Sequence, residues 1–173
     1  AMKEIRIFGL VGSGFPTFVK YDNAKNINTI LINAVECEPY LTSDYKIIEK
    51  KMKELLDGTS LLMKSANAKK AVIALKKGNE ELIELLSEEA KHYLGIDVKV
   101  VSDAYPLGWE RVLIRELFKI EYERFPSEIG IIVNNATTAI YFSEALRTGK
   151  AVTHRIVTIS GEGVENPQNV YVP

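Results

Sequence analysis

Short apolar runs alternate along this chain with longer segments of helical periodicity, and that alternation limits the possible folds more than any other feature. A parallel strand is buried on both faces, so it reads as a continuous apolar run, and the chain must cross back, usually through a helix, before the next strand can join in the same direction. Residues 5–8, 29–33, 71–75, 98–101, 129–133 and 155–159 have the character of such strands. Between them Ile47, Ile48, Met52, Leu55 and Leu56 recur at helical spacing ahead of Asp57-Gly58. Leu82, Ile83, Leu85, Leu86, Ala90 and Tyr93 do the same ahead of Gly95, so Gly58 and Gly95 are expected to cap helix C-termini. Shorter helices are expected over residues 110–118 and 137–147, the second stopped by Thr148-Gly149. The fold class is α/β, a three-layer α/β/α arrangement with a mostly parallel, Rossmann-like sheet.

Composition narrows the function. With 173 residues, 46% apolar and 26% charged, the chain suits one globular core. A net charge of −1, with lysines interspersed among glutamates, offers no extended attraction for a phosphate backbone and speaks against a nucleic-acid partner. No apolar run approaches the ~18 residues of a membrane span, and the N-terminus lacks a signal-peptide pattern, so no direct membrane insertion and a cytoplasmic location are expected. The single cysteine, Cys37, rules out an internal disulfide and a cluster held by four thiolates of this chain. His92 and His154 stand far apart in sequence and suggest no metal site. Residues 169–173 read as extended, and the chain is read as a domain excised from a longer protein.

Two loops carry chemistry. Gly9-Leu10-Val11-Gly12-Ser13-Gly14-Phe15-Pro16-Thr17 follows a candidate strand, and its close glycines permit backbone approach to a phosphate ahead of a helix N-terminus. A plain strand-to-helix turn explains the glycines equally well, and the spacing matches neither a Walker A loop nor the dinucleotide fingerprint. The second loop, Asn33-Ala34-Val35-Glu36-Cys37-Glu38-Pro39-Tyr40-Leu41-Thr42-Ser43-Asp44, leaves the carboxyl end of a strand, where open α/β sheets bind ligands. Thr42, Ser43 and Asp44 are expected to cap the next helix. Glu36 and Glu38 alternate, so an extended loop would turn only one of them toward a ligand. Tyr21, Tyr45 and Tyr122 lie among charges and are expected at the surface or partly packed.

The Gly-Phe-Pro-Thr run with Lys20, then Asn-Ala-x-Glu-Cys-Glu-Pro, then Tyr105-Pro106-Leu107-Gly108-Trp109-Glu110, then Val133-Asn134-Asn135-Ala136-Thr137-Thr138, resemble RnfC in order and spacing over nearly the whole chain. More loosely, they resemble the flavin subunit of respiratory complex I. The resemblance implies FMN across the loop of Gly12, Ser13 and Gly14, with Thr17 following and Lys20 near the flavin or its phosphate. It places Asn33 and an acid, Glu36 or Glu38, near the isoalloxazine, and Asn134, Asn135 and Thr138 near the phosphate or ribityl chain. Phe15, Glu38, Tyr105 and Glu110 would line the approach of a nicotinamide. No side chain is expected to act as a catalytic acid or base, because hydride passes between cofactors.

The family resemblance therefore implies an electron-transfer flavoprotein module. It would pass electrons from NADH or another donor toward iron–sulfur clusters in a part of the protein beyond this chain. Its partners would be other subunits of a redox complex, which would hold it peripherally on the inner face of the membrane. Residues 1–160 would form the FMN-binding domain and 161–173 the start of a linker to a following domain. Ile73-Ala74-Leu75-Lys76-Lys77 and Val152-Thr153-His154-Arg155 resemble the RnfC-like proteins of proline and cobalamin reduction more than RnfC itself. Departures fall at Val11, Val35, Trp109 and Lys76-Lys77-Gly78-Asn79, the last replacing an acidic stretch. These weaken the nicotinamide expectation more than the flavin one, and a flavin-free docking module of a redox complex is the competing reading.

Overall fold

A computed structural model describes residues 15–22, 24–36 and 38–173. The expected strand at 5–8, the glycine loop with Gly12, Ser13 and Gly14, and Cys37 lie outside the described residues. The described elements run α1 (Thr17–Asp22), β1 (Thr29–Ala34), α2 (Ser43–Lys50), α3 (Met52–Ala66), β2 (Lys70–Lys76), α4 (Glu80–Ala90) and β3 (Ile96–Val101). They continue through α5 (Glu110–Phe118), a 3-10 turn (Pro126–Ile129), β4 (Ile131–Asn135), α6 (Ala136–Thr148), β5 (Arg155–Ile159) and β6 (Gln168–Val172).

Strands β3, β2, β1 and β4 lie side by side in that order, all parallel, with Ile32 of β1 level with Ile73 of β2 and Asn134 of β4. Side chains alternate between the two faces. Ile30, Ile32, Ala34, Ile73, Leu75 and Ile132 pack beneath α2, α3, α4 and α6, where Leu55, Leu56, Leu62 and Phe142 are buried. Leu31, Val35, Val72, Ala74 and Val133 face the other way, against Leu113 and Ile114 of α5 and against Tyr122. Each such aliphatic side chain contributes about 1.5–3 kcal/mol on burial, so both layers are strongly held. The three-layer α/β/α expectation stands.

Several boundaries differ from expectation for identifiable reasons. Gly58 is not a cap but lies inside α3, where a Cβ would sit 2.0 Å from the carbonyl oxygen of Ala139. Its missing side chain lets α3 and α6 approach, and α3 ends instead on Asn67 in the left-handed region at φ 53°. The apolar positions from Ile47 to Leu56 divide between α2 and α3, which meet at Lys51. Gly95, at φ +79°, serves the turn into β3, because α4 has already ended at Ala90. Gly149 does cap α6, its N–H reaching Ala145 O at 2.8 Å.

The strand expected over 129–133 begins only at Ile131, because Pro126–Ile129 form a 3-10 turn closed by Gly130 at φ 73°. It then extends through Asn134 and Asn135, which carries both amides to the sheet edge. Strand β5 is outside the parallel sheet and pairs antiparallel with β6, an arrangement that a short turn can make without a crossover. Tyr21 and Tyr122 are more enclosed than expected: the Tyr21 hydroxyl accepts from Asn134, and Tyr122 packs under the Arg111 guanidinium at 4.2 Å. Among the described residues no helix is long and apolar enough to cross a membrane.

Candidate cofactor site

From β1 the sheet grows outward on one side through β2 and on the other through β4, so the chain's direction of winding reverses between β1 and β4. A crevice opens there beyond the carboxyl ends of the strands. It forms a cavity of about 320 Å³, at the small end of the ~300–1,000 Å³ of ligand pockets. Val35 and Asn33 come from the end of β1, Val133, Asn134 and Asn135 from β4, and Thr17 and Lys20 from α1. Glu36, Glu38, Leu41, Ser43 and Asp44 come from the loop into α2, Gly108, Trp109 and Glu110 from the start of α5, and Thr138 from α6.

The inner wall is a connected polar network. Asn135 caps α6, its side-chain oxygen accepting from Thr137 N at 2.8 Å and Thr138 N at 3.3 Å. Its amide nitrogen donates to Asp44 and, at 3.4 Å, to the Asn33 carbonyl. The other Asp44 oxygen accepts from the Thr137 hydroxyl at 2.6 Å. Asp44 thus joins the first turns of α2 and α6, and burial raises its carboxyl above the ordinary range although both hydrogen bonds pull it down.

Helix α2 is capped from outside itself. Glu36 receives Asp44 N at 2.8 Å on one carboxylate oxygen and Tyr45 N at 3.2 Å on the other. Burial also raises this carboxyl, with the neighbouring Asp44 adding to the effect. The expected side-chain cap from Thr42 is absent; its hydroxyl accepts from Asn169 Nδ2 at 3.0 Å instead. Glu36 and Glu38 both line the cavity, because β1 stops at Ala34 and the strict alternation assumed for an extended loop lapses.

On the facing side, Asn33 donates to Gly108 O at 2.8 Å and accepts from Val35 N at 3.0 Å, tying the segment before α5 to the strand end. Lys20 donates to Val133 O at 2.7 Å and lies 3.9 Å from Glu110. Burial lowers its ammonium pKa, and Glu110 partly offsets that. Asn134 donates to the Tyr21 hydroxyl at 2.7 Å, whose phenol burial raises.

Of the residues named from sequence, Thr17, Lys20, Asn33, Glu36, Glu38, Glu110, Asn134, Asn135 and Thr138 share this cavity. Tyr105 stands outside it, its ring 6.3 Å from that of Trp109 in an edge-to-face pair, and Phe15 is exposed. Asp44, read as a helix cap, is instead the joint of the wall, and Leu41, Ser43, Gly108 and Trp109 complete the lining. No sequence signal links Asp44 with Asn135, which are 91 residues apart. Among the described residues no group of three or more His, Cys, Asp or Glu could hold a metal.

The lining suits one part of a flavin nucleotide better than another. Val35, Leu41, Val133 and Trp109 offer apolar surface to a ring, and Lys20 and the asparagine amides offer polar contact to its edge. Glu36, Glu38, Asp44 and Glu110 stand against Lys20 alone as charged described lining residues, a field that repels a phosphate dianion.

The family model described as the Nuo51 FMN-binding domain matches residues 2–143. The chain belongs to this family. Among members of the FMN-binding-domain family, it is 32% identical, over 99% of its length, to a subunit of the proton-translocating ferredoxin:NAD(+) oxidoreductase complex of Clostridium ljungdahlii, covering 38% of that protein. It is 31% identical, over 95% of its length, to the corresponding subunit of the ion-translocating oxidoreductase complex of Edwardsiella ictaluri, covering 21% of it. The chain therefore spans well under half the length of these curated relatives. A solved NAD+-reducing NiFe hydrogenase in the H2-reduced state shares the fold at a TM-score of 0.86 and 21% identity, over 99% of this chain and 36% of that one. The RnfC-like resemblance and the α/β fold read from the motifs are borne out.

Proposed function

We propose that this chain binds FMN and serves as the flavin module of an RnfC-type electron-transfer protein. The observation that carries the reading is the cavity at the β1–β4 crevice, which gathers Lys20, Asn33, Glu36, Asn134 and Asn135 from distant parts of the sequence in a member of the FMN-binding-domain family. Bound there, FMN would couple a two-electron donor to one-electron carriers. Val35 and Val133 would wall the ring, and Lys20 and the Asn33 and Asn134 amides would meet its polar edge. Because carboxylates outnumber cations in the described lining, the phosphate would lie outside it, toward the loop of Gly12, Ser13 and Gly14.

The wider reading extends beyond this chain. Electrons would arrive from NADH or another donor and leave toward iron–sulfur clusters in further domains, with other subunits of the complex keeping the protein at the membrane's inner face. Residues 161–173, which supply β6 of the hairpin, would lead into the next domain. Titration with FMN, followed by flavin fluorescence, tests the core of this. Binding in the micromolar range, about −8 kcal/mol, is expected. Failure of the folded protein to bind either FMN or riboflavin would overturn the proposal in favour of a flavin-free docking module.

A further inference from the structure

The rim of the cavity carries the largest unexplained apolar surface near the site. Trp109 is 56% exposed and Tyr105 62% exposed, although both belong to a segment that is otherwise firmly placed. Leu107 between them is buried at 7% exposure in the core under α5. Gly108 O holds the Asn33 amide at 2.8 Å, Trp109 N donates to Pro106 O at 2.9 Å, and Trp109 O accepts from Leu113 N at 2.8 Å as α5 begins. The indole therefore cannot leave the mouth of the cavity without breaking the start of α5 or the tie to β1. Its edge-to-face contact with Tyr105 steadies the ring on one side, and its place in the lining leaves apolar surface turned to the cavity. An exposed large aromatic held rigidly at a pocket mouth is the informative exception among surface residues.

We propose that Trp109 is a specificity-determining residue of this site: its indole covers the ring of the bound flavin and occupies the space a nicotinamide ring would need to stack there. The inference rests on the flavin-binding reading above and adds the class of donor the site accepts. A cavity of about 320 Å³ accommodates one fused ring system in contact with its walls, and a second planar ring would have to displace the anchored indole. A pocket that is filled at its mouth rejects the larger ligand by steric exclusion rather than by weaker attraction. The site thereby favours electron delivery by a protein carrier whose redox centre approaches the covered ring without stacking on it.

The test compares the wild-type chain with Trp109→Leu, Trp109→Gly and Trp109→Phe, each first shown by thermal unfolding to be folded. Indole in contact with a flavin quenches its fluorescence by electron transfer to the excited ring. At saturating FMN the wild type should be strongly quenched and Trp109→Leu severalfold brighter. Under anaerobic conditions NADH delivers a hydride to the flavin and solvent supplies the proton, so bleaching reports access of the nicotinamide. The second-order rate constant for bleaching should rise by about tenfold or more in Trp109→Gly, the equivalent of removing a modest steric penalty, and stay low in Trp109→Phe. Equal brightness of wild type and Trp109→Leu at saturation, or fast and saturable bleaching of the wild type by NADH, would overturn this inference while leaving flavin binding intact. Absence of FMN binding to the wild type would overturn both the functional reading and this one.

Discussion

Along the inner side of the cavity, Asp44, Asn135 and Asn33 are engaged with one another or with the backbone, whereas on the outer side Tyr105 and Trp109 hold much of their ring surface in solvent. The two regions divide the work of a binding site. A wall whose polar groups are mutually paired has its geometry settled before any ligand arrives, which lowers the entropy lost on binding. A rim with open aromatic surface supplies contact that is made only when something enters. Substitutions in the wall should therefore disturb folding first and binding second, and substitutions at the rim should do the reverse.

The largest expected effect lies in the wall. Asp44→Ala leaves the Asn135 amide and the Thr137 hydroxyl without their acceptor in a buried place, and should lower stability by about 2–4 kcal/mol. Trp109→Leu, on the rim, should change it by less than ~0.5 kcal/mol. Denaturant unfolding of both variants checks the contrast, and equal losses would erase the distinction between wall and rim.

Lys20 stands between the two regions. It is bonded to Val133 O and close to Glu110, in a lining where acids predominate. If its ammonium meets the ring edge, Lys20→Ala should weaken FMN and riboflavin alike, by about 1–2 kcal/mol. A loss confined to FMN would move the phosphate into this cavity and reverse the orientation proposed above.

The wall should also sense pH. Burial raises the Asp44 carboxyl above its unfolded value, and Glu36 shifts the same way. The folded chain therefore holds these protons more tightly than the unfolded chain. Their contribution to stability is present below the unfolded carboxyl range and is lost as pH rises through the raised folded values. Surface acids such as Glu128 are shifted down and act in the opposite sense, so the difference between variants is the quantity to measure. Between about pH 7 and about pH 5, Asp44→Asn should gain less stability on acidification than the wild type, as thermal unfolding across that range will show. An unchanged pH slope would mean that Asp44 titrates alike in both states.

How much of the fold and of the site is legible in the sequence depends on whether the deciding contact is local. The runs that form β1 and β2, the limits of α5 and the cap at Gly149 follow from patterns within a few residues, and the structure agrees with them. Gly58 misleads because a glycine that admits Ala139 of another helix looks, locally, like one that ends its own. The run at 155–159 is extended as expected, yet nothing within it says whether its neighbour is a parallel sheet or the later β6. At the site, motif resemblance brings forward most residues of the lining, but not the joint at Asp44. That joint exists only because α2 and α6 begin side by side.

The smallest expected effect concerns how the loop of Glu36 and Glu38 is held from the far side. Thr42 N donates to Thr158 Oγ1 at 3.3 Å, the Thr158 hydroxyl donates to Asn169 Oδ1 at 2.7 Å, and Asn169 Nδ2 donates to Thr42 Oγ1 at 3.0 Å. These bonds close a ring between the β5–β6 hairpin and the loop that enters α2, so the hairpin steadies one edge of the rim. These hydrogen bonds are exposed, and water replaces much of what is lost when one partner is removed. Asn169→Ala should therefore cost only about 0.5 kcal/mol of stability. Because the loop carries Leu41 and Glu38 into the cavity, the same change should loosen FMN slightly and leave riboflavin discrimination untouched. Amide hydrogen exchange offers the sharper reading: protection should fall at Thr42 while staying unchanged at Asp44 and Tyr45, whose N–H groups are held by Glu36. Loss of protection at all three together would show that the hairpin and the Glu36 cap act as one unit, and the boundary between wall and rim would have to be drawn further in.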